Sequence, residues 1–185
     1  HAFSETYTYQ RSPRTEQICD RILLNAYFNA SLNYDRKYDD IKDIYEFIPF
    51  KKYKRIVMIG YFTSLVAKFK EAGIQVDIFD LNENQPGVLS MTEQQNHIAQ
   101  ADALIITSTT IFNRSFTQLV KSTRAGSDVF MLGPSTILHP FLYEYPNISR
   151  IFGMIFPSNQ ELILNMILEG HGTPSFGKYG QKVYL

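Results

Sequence analysis

From residue 55 onward the chain alternates short β-branched apolar runs with amphipathic stretches, and this alternation constrains the fold more than any other feature. The runs "IVMIG" (56–60), "QVDIFDL" (75–81), "DALIITS" (102–108), "DVFMLG" (128–133) and "RIFGMIF" (150–156) read as strands. Between them, "SLVAKFKEAG" (64–73), "MTEQQNHIAQ" (91–100), "RSFTQLVKSTRAG" (114–126), "TILHPFLYEY" (136–145) and "NQELILNMILEG" (159–170) read as helices. Gly73, Gly126 and Gly170 supply the stops and Thr92 a cap. Strands joined through helices need crossover connections, so the sheet is expected to be mainly parallel with helices on both faces. Nearly continuous apolar strands suit a sheet covered on both sides. The tail "GKYGQKVYL" adds turn signals and a last strand, for a doubly wound α/β sheet of five to six strands over residues 55–185.

Ahead of this lies an N-terminal helical segment, residues 1–54. Residues 1–14 have no period. "TEQICDRILLNAYFNA" (15–30) has apolar positions at helical spacing behind Thr15 as a cap, with Cys19 reading as a small core residue. Asp39, Asp40 and Asp43 suit the start of a short helix, which Pro49 ends.

Composition removes several classes of function. Lys plus Arg and Asp plus Glu both number 18, so the cation excess that nucleic acid or an anionic membrane surface requires is absent. "KKYKR" (51–55) reads as a solvated face. The single cysteine rules out a disulfide framework within the chain and points to the cytoplasm. No apolar stretch is long enough to span a membrane. No signal peptide is visible, and a start at His1 rather than Met suggests a natural N-terminus further upstream.

In an open α/β sheet, ligands bind beyond the carboxyl ends of the strands, where the strand order reverses. The strand ends here carry Gly60-Tyr61-Phe62, then Asp80 to Glu83, then Thr107-Ser108-Thr109-Thr110 with Asn113, then Gly133-Pro134-Ser135-Thr136. Taken together, Gly60, Tyr61, Asp80, Glu83, Thr107, Thr109, Asn113, Gly133, Ser135 and Thr136 form a candidate binding site. Their hydroxyls and the nearby backbone N–H groups suit a small anionic ligand. Taken singly, each residue also reads as an ordinary cap on the helix that follows.

Most stronger signatures fail. After Gly60 the second and third glycines of a dinucleotide fingerprint are missing, which speaks against NAD although Asp80 sits where a ribose-binding acid would. No phosphate-binding loop of the G-x-x-x-x-G-K-[ST] kind is present. "GPSTI" lacks the second glycine of a nucleophile elbow. His1, His97, His139 and His171 form no paired metal motif; His97 is expected to face solvent, and Asp80 and His139 are the metal candidates.

"VMIGYF", "DIFDLNEN", "ADALIITSTTIFN" and "VFMLGPSTILHP", with the closing "LEGHGTPSFGKYGQKVYL", resemble the heavy-metal chelation domain family over residues 15–185. The run Gly133 to Pro140 is the most specific part. The resemblance implies a Rossmann-like domain preceded by an enolase-N-terminal-like one, of which "LLNAYFNA" looks like a remnant, with a site in the cleft between them. It also implies a role in metal or metal-chelate handling. The expectation is therefore a binding protein for a small anion, a transition metal or a metal chelate. The alternatives are a transferase or lyase using Asp80, Glu83 or His139, and a non-catalytic module that forms a homodimer through its N-terminal helix and its tyrosines.

Overall fold

In a computed structural model, residues 13–38, 43–157 and 160–185 are described. The chain opens with α1 (Pro13–Leu32), followed by α2 (Ile44–Phe47) and a single 3-10 turn at Phe50–Lys52. The α/β alternation then runs β1 (Ile56–Ile59), α3 (Thr63–Glu71), β2 (Asp77–Phe79), α4 (Gln94–Gln100), β3 (Ala103–Thr107), α5 (Thr109–Phe112), α6 (Phe116–Lys121) and β4 (Asp128–Leu132). It closes with β5 (Ile148–Ile155), α7 (Glu161–Leu168), α8 (Thr173–Phe176) and β6 (Gln181–Tyr184).

The six strands form one sheet in the order β2-β1-β3-β4-β5-β6, parallel except for β6, which runs antiparallel to β5 at the edge. Alternation along each strand sends side chains to two cores. Val57, Ile59, Leu104, Ile106, Val129 and Met131 pack on one face with Ile98 of α4 and Leu119 and Val120 of α6. Ile56, Met58, Ile105 and Phe130 pack on the other with Leu65 and Phe69 of α3 and with Ile44, Ile48 and Phe50. This is the expected doubly wound sheet.

Local differences from the sequence reading have identifiable causes. The helix expected over 136–145 is absent, and only a 3-10 segment at Pro140–Glu144 forms. Leu138 N–H, which a helix opening at 136 would leave free near its start, is bonded instead to the side chain of Asn33, 2.7 Å away. Pro140 has no N–H to contribute to a helical ladder. The helix expected from 114 starts at 116, because Arg114 takes a left-handed backbone (φ 68°). The strand expected over 75–81 narrows to 77–79, because Asp80 turns back to accept the N–H of Asn82 at 2.8 Å. The cap of the 91–100 segment is Ser90 rather than Thr92.

The N-terminal helix is docked by polar bonds rather than by its apolar stripe. Cys19, expected in the core, is only half-buried. Leu23, Leu24, Tyr27 and Phe28 are all exposed, Leu23 at 68% and Tyr27 at 65%. The opposite face carries Asn25, Asn29 and Asn33, four residues apart and therefore aligned along the helix. Their amide nitrogens donate to the carbonyls of Ser135 (3.2 Å), Thr136 (2.9 Å) and Thr136 again (2.8 Å). Arg21 Nε donates to the carbonyl of Phe112 at 2.7 Å, fixing α1 to the end of α5. The segment after β4 is thus held by α1, not by a helix of its own. No described helix is long and apolar enough to cross a membrane.

Candidate functional site

The strand order reverses between β1 and β3. The chain leaving β1 enters α3 on one face of the sheet, and the chain leaving β3 enters α6 on the other. The two connections diverge and open a crevice at the carboxyl ends, as this topology requires. A cleft of about 370 Å³ occupies that place, lined by Gly60, Phe79, Asp80, Leu81, Met91, Gln94, Thr107, Thr109, Thr110, Asn113, Ser115 and Leu119, with Ile59 at its base.

Asp80 is the anchor. Its Oδ2 accepts the backbone N–H of Tyr61 (2.9 Å) and its Oδ1 that of Asn82 (2.8 Å). These two bonds tie the ends of β2 and β1 together and fix the carboxylate's orientation. A carboxylate has about four lone-pair sites, so acceptor capacity remains on both oxygens. The end of β3 folds on itself: Thr110 Oγ1 donates to Thr107 O at 2.7 Å, and the Thr107 and Thr109 hydroxyls are 3.1 Å apart. Asn113 Oδ1 accepts from Ser115 N–H (3.0 Å) and Ser115 Oγ (2.7 Å). Its Nδ2 is bonded to no described residue.

Of the residues singled out from the sequence, Gly60, Asp80, Thr107, Thr109 and Asn113 therefore share one cleft. Tyr61 contributes its backbone N–H to Asp80. The others lie elsewhere. Glu83 accepts the N–H of Met91 at 2.9 Å and braces the rim of the cleft without lining it. Gly133 borders a smaller depression of about 160 Å³ on the other side, with Ser64, Leu65 and Gly153. Ser135 lines the groove beneath α1. Thr136 is completely buried, with its hydroxyl donating to Gly133 O at 2.8 Å, so it caps no helix and lies outside the cleft. His139 Nδ1 accepts from Phe141 N–H, the ring lies 5.3 Å from that of Phe141, and the histidine is not in the cleft. His97, expected in solvent, is half-buried and paired with Asp77 at 2.8 Å. His171 pairs with Glu169 at 3.4 Å on the surface.

Two glycines are explained by close packing inside the strand ends. Gly60 (φ +98°) presents its missing Cβ to Thr107, at 3.0 Å from that residue's Cβ. Gly133 (φ +150°) faces Ser108, whose buried hydroxyl occupies the space a Cβ would need. Ser108 Oγ also lies 2.9 Å from Ser135 Oγ, so a hydroxyl pair joins the ends of β3 and β4.

The residues that the sequence reading missed are of two kinds. Leu81, Met91, Gln94, Ser115 and Leu119 reach the cleft from connecting segments. Asn25, Asn29 and Asn33 had a visible signal in their spacing of four, which placed them on one face of a helix.

The charge of the cleft is simple. Among the described residues Asp80 is its only ionisable lining residue, and no described Lys, Arg or His lines it. Shifted acids lie outside it: Asp43, held below the ordinary range against its burial by Lys182, the Tyr45 N–H and Lys68, lines the depression beside Gly133, and Asp128 and Asp102 lie at the opposite end of the sheet. Burial would raise the Asp128 carboxyl, but hydrogen bonds from Ser149 and Tyr53 and the nearby Lys52 outweigh it and hold it below the ordinary range. Tyr53, half-buried and donating to Asp128 at 2.5 Å, is raised in turn by that desolvation and by the carboxylate. Backbone N–H bonds from Arg55 and Lys54, against a smaller desolvation cost, and the guanidinium of Arg124 hold Asp102 down.

No curated protein matches the chain. Among the solved structures that share its fold are two of one family. One, a protein of unknown function from the DUF364 family of Pyrococcus horikoshii, superimposes with a TM-score of 0.79 at 22% identity, over 98% of this chain and 78% of that one. The other, from the same family in Desulfitobacterium hafniense, gives a TM-score of 0.66 at 18% identity, over 86% of this chain and 62% of that one. The model of this same family, described as "putative heavy-metal chelation", matches residues 43–185, and the chain belongs to that family.

Proposed function

We propose that the protein binds a small, polar, uncharged or cationic molecule in the cleft between the ends of β1, β2 and β3. One observation carries this reading: side chains from three strand ends converge there around Asp80, the sole charge among the described residues of the lining. An anion would meet that carboxylate with no cation to balance it, at a cost that grows in a partly enclosed site. A neutral or positive ligand would find hydrogen-bond acceptors on Asp80 and hydroxyls on Thr107 and Thr109.

The family's description suggests a metal, and the residues present do not fit a bare ion. Among the described residues no three His, Cys, Asp or Glu side chains come together as a ligand set. One carboxylate with hydroxyls, amides and the Met91 thioether falls short of the several nitrogen, sulfur or anionic donors a transition ion takes. If metal is handled at this cleft, it arrives already held by an organic chelator, and the protein recognises the chelator. Titration calorimetry tests this with nickel, copper, cobalt and zinc, each as free ion, as the histidine complex and as the citrate complex. The expected result is binding of neutral or cationic complexes, lost in Asp80→Asn. Silence in every arm would remove the metal-chelate reading.

A second reading rests on the exposed outer face of α1. Leu23, Leu24, Tyr27 and Phe28 form an apolar surface that a second copy of the chain, presenting the same face, would cover in a two-fold pair. Light scattering on the full chain and on the double substitution Leu23→Glu, Tyr27→Glu decides it. A monomeric mass for the unaltered chain ends this reading.

A further inference from the structure

We propose that the cleft at the ends of β1, β2 and β3 recognises a nucleoside carrying no phosphate, through bonds from its ribose diol to Asp80. The proposal names the ligand class of the cleft and so rests on the reading of that cleft as a binding site. Four observations carry it.

Asp80 ends β2 next to β1, twenty residues after the glycine that ends β1, where an open parallel sheet holds the acid that accepts ribose hydroxyls. Both its oxygens are already oriented by one backbone N–H each, and both retain capacity to accept from a vicinal diol.

Little in the lining of the cleft serves a phosphate. A phosphate in such a fold is met by free N–H groups of a glycine-rich turn after β1. Here the N–H of Tyr61 is donated to Asp80, Gly60 is backed by Thr107, and the described residues of the lining include no Lys, Arg or His.

The walls suit a flat base. Met91 and Leu81 supply accessible apolar surface, over a floor that includes the buried Phe79 and Leu119. Leu81 is 85% exposed at the rim, where a stacked base would cover it. Asn113 Nδ2 has no partner among the described residues and is placed to donate to a base edge.

Size agrees. At about 370 Å³ the cleft lies near the small end of ligand pockets, enough for one base and one sugar and too small for a dinucleotide.

The test is titration calorimetry of the full chain with adenosine, guanosine, cytidine, uridine and the sulfonium nucleoside S-adenosylmethionine, with the 2′-deoxy and 3′-deoxy forms of whichever binds and the 5′-monophosphate of the nucleoside with the same base. At least one should bind below roughly 1 mM. Loss of either ribose hydroxyl should weaken it by about tenfold or more, because a hydrogen bond to a carboxylate is removed. The 5′-monophosphate should bind no better than the nucleoside. Asp80→Asn should weaken binding by a similar factor, with circular dichroism confirming that the variant is folded. The deoxynucleoside comparison on the unaltered protein stands even if that variant does not fold. No binding by any nucleoside, equal binding of the deoxy forms, or tighter binding of the monophosphate overturns the proposal. Binding of a metal complex without any nucleoside overturns it alone and leaves the function proposed above intact; silence in both series overturns both.

Discussion

Replacing Asn33 by alanine should detach α1 from the strand ends, and the cost follows from the bonds lost. Asn33 is completely buried. Its Nδ2 donates to Thr136 O at 2.8 Å and its Oδ1 accepts Leu138 N–H at 2.7 Å. In the alanine variant, Thr136 O keeps Asn29 as a donor, so that loss is about 1 kcal/mol. Leu138 N–H, in a residue that is itself completely buried, loses the only acceptor identified for it, at a further cost of about 1–3 kcal/mol. The total is about 2–4 kcal/mol. With a urea dependence of about 2 kcal/mol per molar, the unfolding midpoint should fall by roughly 1–2 M. If α1 detaches without global unfolding, the midpoint will hold but the Leu138 amide should exchange with solvent roughly 30- to 1,000-fold faster. Asn25→Ala is the internal control. Asn25 makes one longer bond and leaves its buried Oδ1 without a partner, so removing it should cost about 0–1 kcal/mol. A loss below about 0.5 kcal/mol for Asn33→Ala with unchanged Leu138 exchange, or equal losses for the two variants, would refute the view that this asparagine row holds the helix.

Three further outcomes are expected. Gly133→Ala should destabilise the protein by more than about 2 kcal/mol in urea unfolding, because the new Cβ falls on the Ser108 hydroxyl at a backbone angle that alanine disfavours. Phe69→Ala should cost about 3–5 kcal/mol by the same assay, since the ring is completely buried in the α3-side core, and a much smaller loss would mean that the site collapses. Acid stability should follow Asp102 and Asp128. Both carboxyls are held below the ordinary value of 3.8, so their contribution is present above that pH and is lost as pH falls through their lowered folded values. Unfolding measured from neutral pH downward should therefore show a fall setting in near pH 3.8, shallower in Asp128→Asn; a slope equal to that of the unaltered protein would count against the assignment.

The sequence by itself determined the sheet. Apolar runs such as "IVMI" and "ALIIT" are short, β-branched and separated by helical periods, so few chain paths other than a doubly wound parallel sheet can bury them. It also placed Gly60, Asp80, Thr107, Thr109 and Asn113 at strand ends, and a parallel sheet gathers its strand ends on one side without further instruction. It could not say which strand ends share a crevice, because strand order depends on side-by-side pairing that leaves little local trace. Only the order β2-β1-β3 joined Asp80 to Thr107 and left Gly133 and Ser135 outside. Nor could local pattern decide the fate of "GPSTILHP". A hydroxyl pair after a strand looks like the start of a helix, since propensity reads only near neighbours. Here its carbonyls and one N–H are bonded by asparagines more than 100 residues away in the chain, and that distant competition keeps the helix from forming.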